Sequence, residues 1–199
     1  MAQYVKQLEA VRAYIRKQGL NLTVWSGAEI YYTASTISWL QQGRVPLLGN
    51  SWHVLVEFHP EAAFDMICAA ALSIGNAGFG MLLAHAERYK ALRRGDRLAQ
   101  LREECNVKVQ INSSAVLDSC RLFGDYWVKR ILKEDLVDVI ASDAHNTSSR
   151  ACTLAQSARV IDKMLGPDAV RRLYHDNPLS ILNEKQRNVW TERGDGGMT

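Results

Sequence analysis

The chain has 199 residues, of which 47% are hydrophobic and 23% are charged. This length and composition indicate one globular domain with a single core, and they exclude a disordered or fibrous protein. The net charge of +3 is too small and too scattered along the sequence to indicate nucleic acid as a partner.

Predicted helices and strands alternate along the chain. In order, we predict a helix over residues 4–19, a strand at 22–25, a helix at 37–42, a strand at 54–58, a helix at 60–73, a strand at 80–84, a helix at 89–105, a strand at 107–111, a helix at 122–132, a strand at 137–141 and a helix at 151–165. The strand segments are short, apolar and rich in β-branched residues, which is typical of buried parallel strands. The alternation predicts an α/β fold of the βα-barrel type.

Polar side chains stand at or near the end of each predicted strand. They are Glu29, Glu57, His85, Gln110 with Asn112, and Asp143 with His145. Their separation of 25 to 31 residues is the length of one βα unit. Because the carboxyl ends of barrel strands converge on one face, we expect the carboxylates and histidines among them to form one site.

Carboxylates and imidazoles without cysteine suit manganese, iron or zinc. A divalent metal site of this kind indicates hydrolysis of a phosphoester. Taken singly, His85 could be a structural histidine, and Glu29 and Glu57 could be loop carboxylates or helix caps. Asp143 and His145 form the more specific signal, because strand alternation directs both side chains to the same side.

Two arginines, Arg88 and Arg150, follow the predicted ligands in loops that leave the site. An arginine is often a solvated surface residue, but here a guanidinium could hold phosphate oxygens in a bidentate manner. The sequence contains no Cys-x5-Arg loop, P-loop, dinucleotide fingerprint or Gly-x-Ser-x-Gly elbow. These absences argue against cysteine-dependent phosphatase, P-loop NTPase and serine hydrolase chemistry.

The location expected from the sequence is the cytoplasm. The first twenty residues carry charges throughout, and no apolar stretch is long enough for a signal peptide or a membrane span. The four cysteines lie far apart without a Cys-x-x-Cys pair, which indicates reduced thiols.

Three segments resemble a known family. They are Gly-Ala-Glu-Ile at 27–30, Leu-Ala-His-Ala-Glu-Arg-Tyr at 83–89 and Ile-Ala-Ser-Asp-Ala-His-Asn-Thr-Ser-Ser-Arg at 140–150. They look like the PHP-superfamily bacterial tyrosine phosphatases of capsule and exopolysaccharide clusters, the CpsB/CapC type. The resemblance covers residues 5 to 184, so we expect a phosphatase domain at 1–184 and a C-terminal tail at 185–199.

This resemblance implies a manganese-dependent protein-tyrosine phosphatase with a metal cluster in a distorted barrel. It also implies a partner, the phosphotyrosine-bearing tail of a bacterial tyrosine autokinase. By motif, Glu29 and Glu57 would be bridging metal ligands, His85, Asp143 and His145 further metal ligands, and Arg88 and Arg150 the catalytic, phosphate-binding arginines.

The sequence departs from the family at two places. The family's opening strand with its His-x-His motif has no counterpart, and Ala86 stands where the family usually has proline. We therefore expect an incomplete barrel with exposed strand edges, an incomplete metal cluster and a homo-oligomer.

Three interpretations stay open. The first is a phosphatase, intact or weakly active. The second is a non-catalytic relic that keeps the fold and binds phosphotyrosine or the kinase tail. The third, less favoured, is another metal-dependent hydrolase acting on a small phosphoester or a cyclic amide, which would usually carry a lysine or histidine where this chain has Gln110 and Asn112.

Overall fold

The computed structural model describes residues 2–122 and 124–185. Within these ranges, five parallel strands form one sheet in the order β1-β2-β3-β4-β5. The strands are β1 (Glu29–Tyr31), β2 (His53–Glu57), β3 (Gly80–Leu83), β4 (Lys108–Asn112) and β5 (Val139–Ala141). The sheet is not closed in the described part of the chain, because β1 and β5 lie at its two edges. The expected α/β fold with parallel strands and an incomplete barrel is confirmed.

Helices connect and surround the strands. They are α1 (Ala2–Lys17), α2 (Thr36–Gln41), α3 (Phe64–Asn76), α4 (Arg97–Cys105), α5 (Ser113–Ser119), α6 (Tyr126–Lys133), α7 (Leu154–Leu165), α8 (Pro167–Arg171) and α9 (Asn177–Asn183). Two 3-10 turns, Ala86–Arg88 and Lys90–Arg93, follow β3, and a π-helical turn, Arg172–Asp176, joins α8 to α9. Among the described helices, none has the length and apolar character needed to cross a membrane.

The first strand lies later in the chain than predicted. Residues 22–25 form no strand; instead, the carbonyl oxygen of Val24 accepts hydrogen bonds from the Arg12 guanidinium, and Leu22 is 63% exposed. The strand is β1, in which Glu29 stands opposite Leu55 and Tyr31 opposite Glu57. A three-residue edge strand with alternating exposure has too little apolar sequence to stand out as a buried strand.

Several helices also differ from the prediction. The helix predicted at 89–105 is interrupted at Gly95, whose φ of +54° lies in the left-handed region, so that only α4 is α-helical. The predicted helix at 122–132 begins at Tyr126, after Asp125 caps it by accepting from the backbone N–H of Trp127. The prediction missed α5, α8 and α9, and most of the predicted tail, residues 186–199, lies outside the described residues.

The core lies between the sheet and the helices packed on it. Val54 and Val56 in β2, Leu83 after them in β3 and Ile67 in α3 are fully buried. Each such side chain contributes about 1.5–3 kcal/mol when it leaves water. The central strands are therefore firmly held, and their carboxyl ends form a rigid edge on which side chains can be positioned.

Candidate active site

Three of the predicted metal ligands meet at the carboxyl edge of the sheet. The Nε2 atom of His85 lies 2.8 Å from a carboxylate oxygen of Glu29 and 3.1 Å from one of Glu57. One ligand atom from each of the three residues lies within 4.8 Å of the other two. Glu57 ends β2 and His85 lies two residues after β3, whereas Glu29 is the first residue of β1 and does not follow a strand as expected. The three strands are adjacent and parallel, which explains how residues far apart in sequence come together.

This group fits a divalent cation. A single imidazole nitrogen faces two carboxylates, and one ring N–H can satisfy only one of them. The hydrogen bond with His85 lowers the pKa of Glu29 despite the opposing effect of burial. Two carboxylates and one imidazole are donors that manganese, iron and zinc accept. We call Glu29, Glu57 and His85 the carboxylate–histidine group.

The other two predicted ligands lie in a separate cluster. Asp143 follows β5, and one of its carboxylate oxygens accepts from Arg88 at 3.0 Å and from Arg150 at 2.6 Å. Its other oxygen lies 3.1 Å from Nε2 of His145. Burial opposes ionisation of Asp143, but the hydrogen bond with His145 and the charge of Arg150 outweigh it and lower its pKa. We call Asp143, His145, Arg88 and Arg150 the arginine–aspartate cluster.

The two groups are neighbours. Arg88, which donates to Asp143 at 3.0 Å, lies only three residues after His85 in the chain. All seven predicted site residues are therefore brought to one edge of the sheet, with the carboxylate–histidine group beside the arginine–aspartate cluster. In this arrangement the arginines pair with Asp143, a contact between predicted site residues that sequence spacing does not indicate.

A cleft of about 200 Å³ opens beside the arginine–aspartate cluster. Arg88 and Arg150 line it together with hydroxyl side chains, including Ser142 and Ser149. The two arginine side chains are 42% and 46% exposed, so a ligand can reach both. Two guanidinium groups and several hydroxyls in a small cleft are suited to a tetrahedral oxyanion such as a phosphoryl group.

The loop that carries Arg150 is closed on itself around Asn146. The side-chain oxygen of Asn146 accepts from the backbone N–H groups of Ser148 and Arg150, each at 2.9 Å. The backbone N–H of His145 also donates to the carbonyl oxygen of Arg150 at 2.9 Å. Sequence reasoning gave Asn146 no role, although Asn followed by Thr-Ser-Ser is a signal for such a side-chain-capped turn.

Tyr89 is a second residue that the sequence reasoning did not single out. Its ring is fully buried, and its hydroxyl accepts a hydrogen bond from the backbone N–H of Phe58 at 3.0 Å. Phe58 directly follows Glu57, and the Tyr89 ring centroid lies 6.1 Å from that of His85. Tyr89 thus anchors the end of β2 under the carboxylate–histidine group.

Comparisons with known proteins agree with this fold. A family model described as capsular polysaccharide synthesis, CpsB/CapC, matches residues 1–183. The tyrosine-protein phosphatase CpsB of Streptococcus pneumoniae is 30% identical over 181 residues, which cover 88% of this chain and 74% of that protein. A protein of the same name from Streptococcus agalactiae serotype V is 31% identical over 185 residues, 89% of this chain and 75% of that protein.

A solved structure also matches. It belongs to a study of YwqE from Bacillus subtilis and CpsB from Streptococcus pneumoniae, described as unique metal-dependent tyrosine phosphatases. The TM-score is 0.78 with 22% sequence identity, and the match covers 91% of this chain and 73% of the other. At this identity the match establishes the fold.

Proposed function

Because the chain belongs to the CpsB/CapC family of capsular polysaccharide synthesis, we propose that it is a metal-dependent phosphatase that hydrolyses phosphotyrosine in proteins. The named relatives support this reaction. The observation that carries the proposal is the position of two accessible arginines, Arg88 and Arg150, beside a group of two carboxylates and a histidine.

The carboxylate–histidine group would hold the metal, for which we propose manganese. A bound divalent cation supplies Lewis-acid stabilisation of phosphate charge and makes water a better nucleophile near neutral pH. Glu29 and Glu57 would provide the negative charge that retains the cation, and His85 the neutral nitrogen donor. Asp143 and His145 would add further ligands, as the family resemblance implies.

The arginines would bind the phosphate. A guanidinium carries five N–H donors, and the contact with Asp143 uses one nitrogen of each arginine. Phosphate oxygens can therefore be bound while Asp143 still orients both side chains. Donors fixed in this way stabilise the charge that develops as the phosphoester bond breaks.

We further propose that the substrate is the phosphotyrosine tail of a bacterial tyrosine autokinase, which places the reaction in the cytoplasm. The cleft lies at an exposed edge of the sheet and has room for a phosphoryl group. A flexible tail can present its phosphotyrosine there without a large complementary surface.

The test is the release of phosphate from a phosphotyrosine peptide in the presence of Mn²⁺, beside the same peptide carrying phosphoserine. We expect Arg88→Ala and Arg150→Ala each to lower kcat/KM by about 10²-fold or more, the usual cost of removing one donor to developing charge. Arg171→Ala is the matched control, because Arg171 in α8 is 75% exposed and pairs with Asp176 outside the cleft.

Two outcomes would contradict the proposal. Equal losses in the Arg171→Ala control would show that the arginines of the cleft have no special role. Arginine-dependent binding of the peptide without phosphate release would instead support the non-catalytic alternative, in which the chain recognises phosphotyrosine without turnover.

A further inference from the structure

Two buried amides lie between the halves of the candidate active site. Gln110 and Asn112 are alternate residues of β4, and each is only 4% exposed. A buried amide is costly unless its oxygen and nitrogen are hydrogen-bonded. The partners of these two side chains are therefore specific features of the fold.

The amides form a chain of hydrogen bonds from His85 to Asp143. The backbone N–H of His85 donates to Oε1 of Gln110 at 2.6 Å. Nε2 of Gln110 donates to Oδ1 of Asn112 at 2.9 Å, and Nδ2 of Asn112 donates to Asp143 at 3.1 Å. We call Gln110 and Asn112 the amide relay.

The direction of the relay is determined at both ends. The backbone N–H of His85 can only donate, so the oxygen of Gln110 must face it. The ionised carboxylate of Asp143 can only accept, so the nitrogen of Asn112 must face it. Each amide therefore accepts on the side of the carboxylate–histidine group and donates on the side of the arginine–aspartate cluster.

The relay ends on two residues with unusual backbone conformations. His85 has a φ of +35° and Asp143 a φ of +49°, both in the left-handed region that residues other than glycine rarely adopt. Such conformations persist only where surrounding contacts hold them. The relay contacts the backbone of His85 and the side chain of Asp143, so it reaches both site residues that adopt this conformation.

A further contact joins the relay to Glu87, the residue before Arg88. The backbone N–H of Asn112 donates to the carboxylate of Glu87 at 3.3 Å. Glu87 lies between His85 and Arg88 in the 3-10 turn after β3. The segment that carries one metal-ligand candidate and one phosphate-binding candidate is thus tied to β4 through both the side chain of Gln110 and the backbone of Asn112.

We propose that Gln110 and Asn112 are positioning residues that set the placement of the carboxylate–histidine group relative to the arginine–aspartate cluster. Gln110 acts through His85 and governs metal binding. Asn112 acts through Asp143, which holds both arginines, and governs phosphate binding. The inference rests on the proposed function for its catalytic consequence, but its effects on metal and phosphate binding can be measured without turnover.

The experiment compares the wild-type chain with Gln110→Leu and Asn112→Leu. Three quantities are measured: Mn²⁺ affinity by calorimetry, the affinity of the Mn²⁺-loaded protein for inorganic phosphate, and the melting temperature. We expect Gln110→Leu to weaken Mn²⁺ binding about 10- to 100-fold, the usual effect of losing a group that orients a metal ligand. We expect Asn112→Leu to weaken phosphate binding about tenfold, because Asp143 would no longer hold the arginines in place and about one hydrogen bond to the charged phosphate would be lost.

Two further variants separate positioning from folding. Asp138→Asn is the matched control, because Asp138 is also buried and accepts from the backbone N–H of Val109 in β4 at 2.8 Å, outside the site. It should lower the melting temperature while leaving both affinities unchanged. Asn112→Asp keeps the size of the side chain and places an acceptor against Asp143, so it should weaken phosphate binding even if Asn112→Leu does not fold.

The proposal is overturned if the relay variants melt earlier yet bind Mn²⁺ and phosphate as the wild type does, since the amides would then be structural only. A wild type that binds no Mn²⁺ overturns it as well. If the wild type binds both ligands but releases no phosphate from phosphotyrosine, the proposed function fails while the binding measurements still decide the role of the relay.

Discussion

Tyr89→Phe removes one hydroxyl from the support of the candidate active site and leaves every ligand in place. In the wild type, that hydroxyl accepts from the backbone N–H of Phe58, and the ring is fully buried. Burial raises the pKa of Tyr89, so the group is a neutral phenol throughout the neutral range. Phenylalanine keeps the ring contacts with Phe58 and His85 and deletes only the hydrogen-bond acceptor.

The expected loss of stability follows from the backbone N–H of Phe58, which loses its hydrogen-bond acceptor. The Phe58 N–H stays buried without its acceptor, and an unsatisfied buried donor costs about 1–3 kcal/mol. For a chain of this size, the melting temperature should fall by roughly 2–12 °C. Because Phe58 directly follows Glu57, the loosened end of β2 should also weaken Mn²⁺ binding.

Tyr174→Phe is the matched control for this measurement. The Tyr174 hydroxyl donates to Oγ of Ser157 at 2.8 Å, but Ser157 itself donates to the carbonyl oxygen of Leu154 at 3.0 Å and remains satisfied when the tyrosine is changed. We expect Tyr174→Phe to cost about 0.5–1.5 kcal/mol, the net value of one hydrogen bond, with Mn²⁺ affinity unchanged. The reasoning is refuted if thermal unfolding shows that Tyr89→Phe destabilises the protein no more than Tyr174→Phe.

Three further predictions concern the rest of the chain. Burial raises the pKa of the Cys68 thiol to about 12, so few Cys68 thiolates are present at pH 8. Ellman's reagent at that pH should label the exposed Cys120 and Cys152 at least about a hundredfold faster than Cys68. Equal labelling rates would contradict this prediction. Burial opposes ionisation of Asp125, but the hydrogen bonds and charge of Arg93 lower the pKa of this carboxyl group below its ordinary value of 3.8. The ion pair therefore stabilises the fold fully at pH values above 3.8. This stabilisation is lost as the pH falls through the lower pKa of the folded state. Asp125→Asn should therefore destabilise the chain by roughly 0.5–1 kcal/mol at pH 7, with a difference that narrows towards pH 3; a constant difference in denaturant unfolding would argue against the ion pair. Finally, the apolar side chains exposed along α1 and the strand edge at β1 predict self-association at micromolar concentration, and a monomer in sedimentation velocity at every concentration would contradict it.

The sequence alone predicts that the site residues lie close together, because their proximity depends on the order and direction of the strands. Parallel strands send their carboxyl ends to one edge, so polar residues repeating at the length of a βα unit indicate a shared location. Glu57 and His85 follow buried runs that are clear in the sequence. Glu29 lies with them although it opens β1 and the strand predicted before it, at 22–25, is absent. Only its spacing of 28 residues from Glu57 indicated its place at the site.

The details that the sequence does not reveal depend on side-chain conformation and on contacts between distant residues. Arg88 and Arg150 are long and flexible, and nothing in their spacing indicates that both bind the same carboxylate of Asp143. The polar pair Gln110 and Asn112 is visible on its strand, but its role depends on neighbours 25 and 31 residues away. Such contacts become apparent only when the strands are placed side by side.

The most direct test of the account is the rate of phosphate release from a phosphotyrosine peptide by the metal-stripped wild-type chain as Mn²⁺ is added back. We predict no release in the presence of a chelator, saturable recovery with Mn²⁺, and a His85→Ala variant that recovers little or no activity at the Mn²⁺ concentration that saturates the wild type. Release that continues in the chelator, or a His85→Ala variant that responds to Mn²⁺ as the wild type does, would contradict a metal-dependent phosphatase centred on the carboxylate–histidine group.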